Sequence, residues 1–325
     1  MEFPYLAKSV LLGDIGATNA RFALASKDEL GQVRSFEVAK FPQFMDALAA
    51  FREEFSSPIT HAVIAVAGLI VEQHAKLTNQ AWTIDADELK SSLGLQARII
   101  NDFQAVALSL PALKPKDLVA IGGGKIVEET PKAVLGPGTG LGVACLAKGS
   151  PYPVIITSEG GHTTLAGTCD REDRIILYLR GKFGHASAER AISGSGLENL
   201  YQAIAAVDGL IVDPQSAVEI TRRALASDCE IAREALRTFC AFLGSFAGSL
   251  ALTFGATGGV YIAGGISPRI LNFLAGSEFR SRFESKGRFR SYLETIPSYV
   301  IVHPAAAFLG LQSLLDVANT QINPD

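Results

Sequence analysis

Cysteine is scarce in this chain: four among 325 residues, Cys145, Cys169, Cys229 and Cys240, with no two in C-x-x-C spacing. That excludes a disulfide-stapled scaffold and a cysteine-built zinc module. The thiols read as reduced, and a cytoplasmic location is expected. Five histidines, His61, His74, His162, His185 and His303, are scattered without metal-ligand spacing. There is no surplus of positive charge either: 29 Lys+Arg stand against 33 Asp+Glu, a formal net charge of -4. No broad basic field exists to recruit nucleic acid or an anionic membrane, so neither is expected as a partner, and any polyanion must be gripped locally. A Walker A loop is missing, because Gly124-Lys125 lacks both the earlier glycine and the following Ser/Thr. Gly136 to Gly142 does not fit G-x-G-x-x-G, and a hairpin pattern rather than a helix follows it. No basic region precedes the apolar run from Val10, so no signal peptide is expected.

What is present is a composition that folds. Hydrophobic residues make up 48% and charged residues 19%, and the length suggests two domains with ample core. The stretch from Thr238 to Pro268 carries neither charge nor histidine and is long enough to span a bilayer. Its glycines, including Gly258-Gly259 and Gly264-Gly265, divide it into a helix ending near Phe254 and a short strand from Val260, which favours a buried helix and strand over a membrane span.

Periodicity predicts strand, glycine turn and strand from Val10 to Ala25, then a third strand near Val33 to Val38. A helical pattern runs from Pro42 to Phe55, His61 to Val66 is a short apolar strand, and Asp85 caps a helix to Leu93. The strand Arg98-Ile99-Ile100 enters Asn101-Asp102 and a helix from Phe103 to Leu110. Further helices are predicted over Asp170 to Phe183, Gly196 to Ala206, Pro214 to Ala226 behind an Asp213 cap, and Asp228 to Phe254. Strand and helix over Ser298 to His303 and Pro304 to Val317 close the chain. A strand meander followed by alternating helix and strand means mixed α/β sheets.

The opening pattern recurs about 120 residues later: Val134 to Leu146 can be laid without gaps over Leu12 to Leu24, Gly138 meeting Gly16. Two similar α/β domains, each offering a phosphate-sized hairpin, would explain this, and so would two unrelated glycine-rich turns. In the first turn, Gly13, Asp14, Ile15, Gly16, Ala17 and Thr18 could present backbone amides to an anion, with Asp14 holding Mg²⁺ through water; an ordinary hairpin turn uses the same residues. Asn101-Asp102 sits at a strand end, where open α/β sheets bind ligands, although helix capping also suits that pair. A functional Asp102 would act as general base. Glu159-Gly160-Gly161-His162 brings a carboxylate and an imidazole around two glycines, suited to paired hydroxyls or to a solvated turn. Gly264-Gly265 after a strand permits close packing of a ring or of a helix.

In chain order, Asp14-Ile-Gly-Ala-Thr-Asn-Ala-Arg21, Asn101-Asp102-Phe103, Gly136-Pro-Gly-Thr-Gly-Leu-Gly142, Glu159-Gly-Gly-His162, Ala188-Glu-Arg-Ala-Ile-Ser-Gly-Ser-Gly-Leu197 and Ala263-Gly-Gly-Ile266 resemble the motif series of the bacterial ATP-dependent glucokinase family. The resemblance covers about Leu11 to Gly310. It implies a duplicated actin/hexokinase (ribonuclease H-like) fold, two α/β domains with a cleft between them: a small domain of 1–112 plus 303–325 and a large one of 113–302. It implies transfer of the γ-phosphoryl of MgATP to the 6-hydroxyl of D-glucose, in a homodimer. By the same resemblance Asp102 is the base, and Asn79, Asn101, Glu159, His162 and Glu189 hold the sugar. Phosphates fall to the loop 13–18 and to Gly138, Thr139 and Gly140, while Gly264 and Gly265 face the adenosine. The alternatives are another hexose (mannose or an N-acetylhexosamine), a non-catalytic sugar or nucleotide sensor, and an actin-like polymerising ATPase. Two departures stand out. The family's double glycine is Gly16-Ala17 here, and the zinc-binding cysteines and N-terminal DNA-binding segment of the related repressor/kinase group are not seen, which favours a plain kinase.

Overall fold

The computed structural model of the chain describes residues 9–26, 28–55, 58–77, 82–150 and 152–320. It divides into two compact units: Met1–Lys114 with Ser150–Thr157 and His303–Asp325, and Pro115–Gly149 with Ser158–Val302.

The first unit is organised by β1 (Val10–Ile15), buried along its whole length. A strand covered on both faces must be apolar at nearly every position, as Val-Leu-Leu-Gly-Asp-Ile is. It pairs antiparallel with β2 (Asn19–Ala25), which pairs with β3 (Arg34–Glu37), and parallel with β4 (His61–Val66). Alternation assigns its faces. Leu11 and Ile15 join Phe22, Phe44, Leu48 and Phe51 in one core cluster, and Val10 and Leu12 join Phe308 and Leu311 in another. Three short strands, β5 (Gly68–Val71), β6 (His74–Leu77) and β7 (Thr83–Asp85), form a separate antiparallel sheet, and β8 (Gln96–Asn101) completes the main one in the order β3-β2-β1-β4-β8. Behind it the helix Asp102–Ser109 packs on the last helix, Ala306–Thr320. Gly310 makes that approach possible, since a Cβ there would lie 1.8 Å from the carbonyl oxygen of Ala105.

The second unit repeats the plan. Strands β9 (Leu118–Gly122), β10 (Lys132–Pro137), β11 (Leu141–Ala147), β12 (Val154–Ser158), β13 (Val260–Ile262) and β14 (Ser298–Ile301) are ordered β12-β11-β10-β13-β14-β9. A central strand again makes an antiparallel hairpin on one side and parallel pairing on the other. Hydrogen bonding places β12 in this sheet, and the boundary between the compact units runs through it. The apolar stretch expected as a buried helix and strand is the helix Glu230–Phe254, ended by Gly255 in the left-handed region, followed by β13. By length and composition that helix could cross a membrane, but Leu236, Phe239, Phe242 and Leu243 are fully buried in the core of this unit.

Several sequence expectations need correction. The helix expected behind Asp213 starts at Ala217, and its cap is Ser216, whose hydroxyl accepts from the Glu219 amide at 3.3 Å. Serine followed three residues later by glutamate is the stronger start signal. The pattern over Pro42 to Phe55 yields a helix only over Phe44–Arg52, opened by a capping box of Gln43 and Asp46. The ungapped overlay of the two hairpins holds for their first strands only. Ile15 pairs with Ala20 across a four-residue loop, whereas Pro137 pairs with Leu141 across three, so the second strands are offset by one.

Candidate active site

In the first unit, Asp14 and Arg21 are register partners across the β1–β2 hairpin, and their side chains form an ion pair. Asp14 is 7% exposed. The guanidinium also donates from Nη1 to the Pro304 carbonyl at 3.0 Å and lies over the Phe308 ring, 5.9 Å from its centroid. One arginine thus ties the base of the hairpin to the approach of the last helix. Gly13 and Ile15 are buried within β1, and Gly16, Ala17 and Thr18 reach the loop itself, where the Gly16 amide donates to the Asn19 carbonyl at 3.0 Å.

Ile15, Val66 and Asn101 share one row of the sheet, β4 lying between the other two strands. At the usual strand spacing Asn101 is about 10 Å from Ile15 along this row. Its side-chain oxygen accepts from the amides of Phe103 (2.9 Å) and Gln104 (3.2 Å), so Asn101 is the cap of the following helix. Asp102 is the first residue of that helix, half-buried, its Oδ1 accepting from the Phe103 amide at 2.9 Å. A helix N-terminus favours negative charge at this place. Asn79 lies outside the described residues.

In the second unit the three-residue loop Gly138–Gly140 is held by its own backbone and by a distant segment. The Gly138 amide donates to the Gly140 carbonyl, and the Gly194 amide donates to the Gly138 carbonyl, both at 2.8 Å. The Leu141 amide donates to Glu189 Oε2 at 2.9 Å. Gly264 has φ +81° and leaves no room for a side chain, since a Cβ would meet the Pro137 oxygen at 2.3 Å; Gly264-Gly265 therefore abuts the foot of this hairpin. Glu159 and His162 flank the turn Gly160–His162, with His162 Nε2 3.9 Å from Glu159 Oε2 and both side chains largely exposed. The Ala188 amide donates to the Thr163 carbonyl at 2.9 Å, which joins this turn to the segment bearing Glu189. His185 pairs with Thr164 instead.

Within the second unit the structure thus gathers Gly138, Thr139, Gly140, Glu159, His162, Glu189, Gly264 and Gly265. Within the first it places Asp14, the loop 16–18, Asn101 and Asp102 at one end of the sheet. Burial pushes the thiols of Cys145 and Cys240 up to about 11 and about 12, well away from reactivity. Sequence reasoning gave Arg21 no role, although an acid and a base placed symmetrically about a glycine turn are a legible signal. It also missed the bond from Leu141 to Glu189, for which a separation of 48 positions leaves no local pattern.

The family model described as Glucokinase matches residues 11–318. The glucokinase of Cronobacter sakazakii is 43% identical over 308 residues, covering 94% of this chain and 96% of that protein. The crystal structure of a glucokinase from an Antarctic psychrotroph is 35% identical with a TM-score of 0.83, covering 96% of this chain and all of that one. A ROK family glucokinase from Streptomyces griseus, solved with glucose and AMPPNP, shares the fold at 18% identity and a TM-score of 0.65, covering 94% of this chain and 98% of its own. With the match running from the first strand into the last helix, the chain belongs to the glucokinase family of ATP-dependent hexose kinases.

Proposed function

We propose that phosphorylation of glucose by ATP, the reaction of this family, proceeds here with Asp102 as general base toward the 6-hydroxyl of D-glucose. The observation that carries this is the position of Asp102: it opens a helix at the end of a parallel strand, its backbone fixed by the Asn101 cap. The 6-hydroxyl proton passes to the Asp102 carboxylate, the bond from O6 to the γ-phosphorus forms, and the bond from that phosphorus to the β–γ bridging oxygen breaks, releasing ADP. Such transfers depend on positioning and charge neutralisation more than on covalent chemistry. Asn79, Asn101, Glu159, His162 and Glu189 are proposed to hold the sugar. The loop of Gly13 to Thr18 and Gly138, Thr139 and Gly140 are proposed to hold phosphates, with Gly264 and Gly265 against the adenosine. Mg²⁺ is proposed to be held by Asp14 through water, the carboxylate oxygen not paired with Arg21 accepting from the ion's hydration shell. When bound, the ion neutralises phosphate charge.

The glucose and AMPPNP held by the Streptomyces griseus enzyme support this assignment of ligands. The repeated strand order in the two units supports a duplicated actin/hexokinase fold. The proposal takes 1–112 plus 303–325 as the small domain and 113–302 as the large one, with the substrates in a cleft between them. A cytoplasmic homodimer completes the proposal. The test is a coupled assay of Asp102→Ala and Glu159→Gln. Asp102→Ala is expected to retain glucose binding while kcat falls by roughly 10² to 10⁴. Glu159→Gln is expected to raise the KM for glucose more than that for ATP. Near-normal turnover in Asp102→Ala removes the base assignment, and equal effects of Glu159→Gln on both substrates remove the sugar contact.

A further inference from the structure

We infer that Glu189, besides its proposed sugar contact, is a positioning residue for the second hairpin and sets its affinity for nucleotide phosphates. This rests on the reading of Gly138–Gly140 as a phosphate loop. Two observations point the same way. The Leu141 amide, at the foot of the loop, donates to Glu189 Oε2 at 2.9 Å. Gly140 lacks the methyl group that would stand 2.6 Å from that same oxygen, so the loop is shaped around the carboxylate.

The backbone of Glu189 is also held from behind. Ser193 Oγ donates to the Glu189 carbonyl at 2.8 Å and accepts from the Gly196 amide at 2.9 Å, which fixes the segment to the start of the helix Gly194–Val207. A carboxylate beside an anion-binding loop would repel phosphate if it only faced the ligand. Bonded to Leu141, it takes that amide for itself and fixes the backbone so that phosphate recognition falls to the amides of Thr139 and Gly140. One side chain then serves both ligands, and whatever effect glucose has on nucleotide affinity through it, nucleotide must have equally on glucose affinity.

The experiment is calorimetric titration of AMPPNP into glucose-free protein, and of glucose alone, for wild type, Glu189→Gln, Glu189→Ala, Gly140→Ala and the double variant, with circular dichroism confirming that each is folded. Glu189→Ala is expected to weaken AMPPNP binding about tenfold, the equivalent of one hydrogen bond to a charged group. Glu189→Gln, whose carbonyl can still accept from Leu141, is expected to lose less than about threefold on the same scale. Gly140→Ala is expected to weaken AMPPNP as well, and the double variant no further than the worse single one, because both break one interaction. Unchanged AMPPNP affinity in folded Glu189→Ala, or additive losses in the double variant, overturns the proposal. Loss of AMPPNP affinity with glucose affinity intact removes the sugar contact and leaves the positioning role standing.

Discussion

The two glycine hairpins look alike in sequence and are secured by different means. Both loops close on their own backbone and take an amide from another segment, Gly16 to Asn19 and Val38 to Thr18 in the first, Gly138 to Gly140 and Gly194 to Gly138 in the second. The first is braced below its loop by side chains of its own hairpin: Asp14 and Arg21 pair across the strands, and Arg21 reaches Pro304. The second has instead a side chain from outside its hairpin, the Glu189 carboxylate, which accepts from the Leu141 amide. The four-residue loop of the first leaves Thr18 and Asn19 exposed, while the three-residue loop of the second is joined to a segment some fifty residues away. Equal glycine content therefore does not mean equal freedom. The side-chain brace of the first loop lies within its own hairpin, and that of the second comes from a separate segment.

This contrast can be broken experimentally at the foot of each hairpin. The largest effect is expected from Gly264→Ala in the second unit, which drives a methyl group into the Pro137 oxygen at a backbone angle that side chains resist. A loss of about 3 kcal/mol in stability is expected by analogy with strained left-handed positions, read as a lowered midpoint in thermal circular dichroism; an unshifted midpoint would mean that the foot of the second hairpin yields easily. Next is Arg21→Ala in the first unit, which strands a nearly buried Asp14 carboxylate. The pair is partly open to solvent on the arginine side, so about 2 kcal/mol is expected. The sole tryptophan, Trp82, is buried in the first unit with its indole N–H on the Phe41 carbonyl, and its fluorescence should follow that loss. Arg21→Ala combined with Asp14→Asn should recover part of it, since the unpaired charge is then gone.

Smaller effects come from pH, with opposite signs in the two units. In the second, Glu172 and Arg282 form a largely buried two-pronged pair at 2.6 and 2.8 Å. Burial alone would raise the Glu172 carboxyl, but hydrogen bonds from Arg282 and Thr168 bring it below its ordinary 4.5. A depressed carboxyl stabilises the fold above pH 4.5, and that contribution is lost as pH falls through the lowered value. In the first unit the exposed pair of His74 and Asp85 works the other way. The Glu72 carbonyl and the Asp85 charge raise His74 above 6.5, so its small contribution is complete below that pH and is lost as pH rises through the raised value. Melting curves at pH 4, 6 and 8 for wild type, Glu172→Gln and His74→Gln should show acid sensitivity blunted in the first variant and the slight alkaline loss removed in the second.

Much of the fold was legible because its signals are local. The Asp85 cap, the strand before Asn101 and the end of the long helix at Gly255 each lie within a few residues of the pattern that announces them. The strands β5 to β7 were not, being three or four residues long and alternating in exposure over too few positions to show a period. Nor was β9, whose partner β14 comes at the other end of the unit's sequence. At the site, residue types and turns were readable, and the Asn101 cap was one of two readings held open. What sequence could not give was the choice of partner, because whether Glu189 meets a sugar or a backbone amide is decided by tertiary proximity.

The seat of Gly310 against Ala105 has a bearing on how the protein is made. The apolar rear of the first sheet, with Leu12, Val63 and Ala65, is closed by Phe308 and Leu311, which are translated well after the strands they cover. At elongation rates of about 5 to 20 residues per second that face must wait roughly ten to forty seconds after residue 114 for its lid to be synthesised. During that interval the nascent chain carries an open greasy surface, so residues 10–114 are the part most in need of a chaperone, and deletion of the helix Ala306–Thr320 should yield an insoluble product rather than a weakened enzyme.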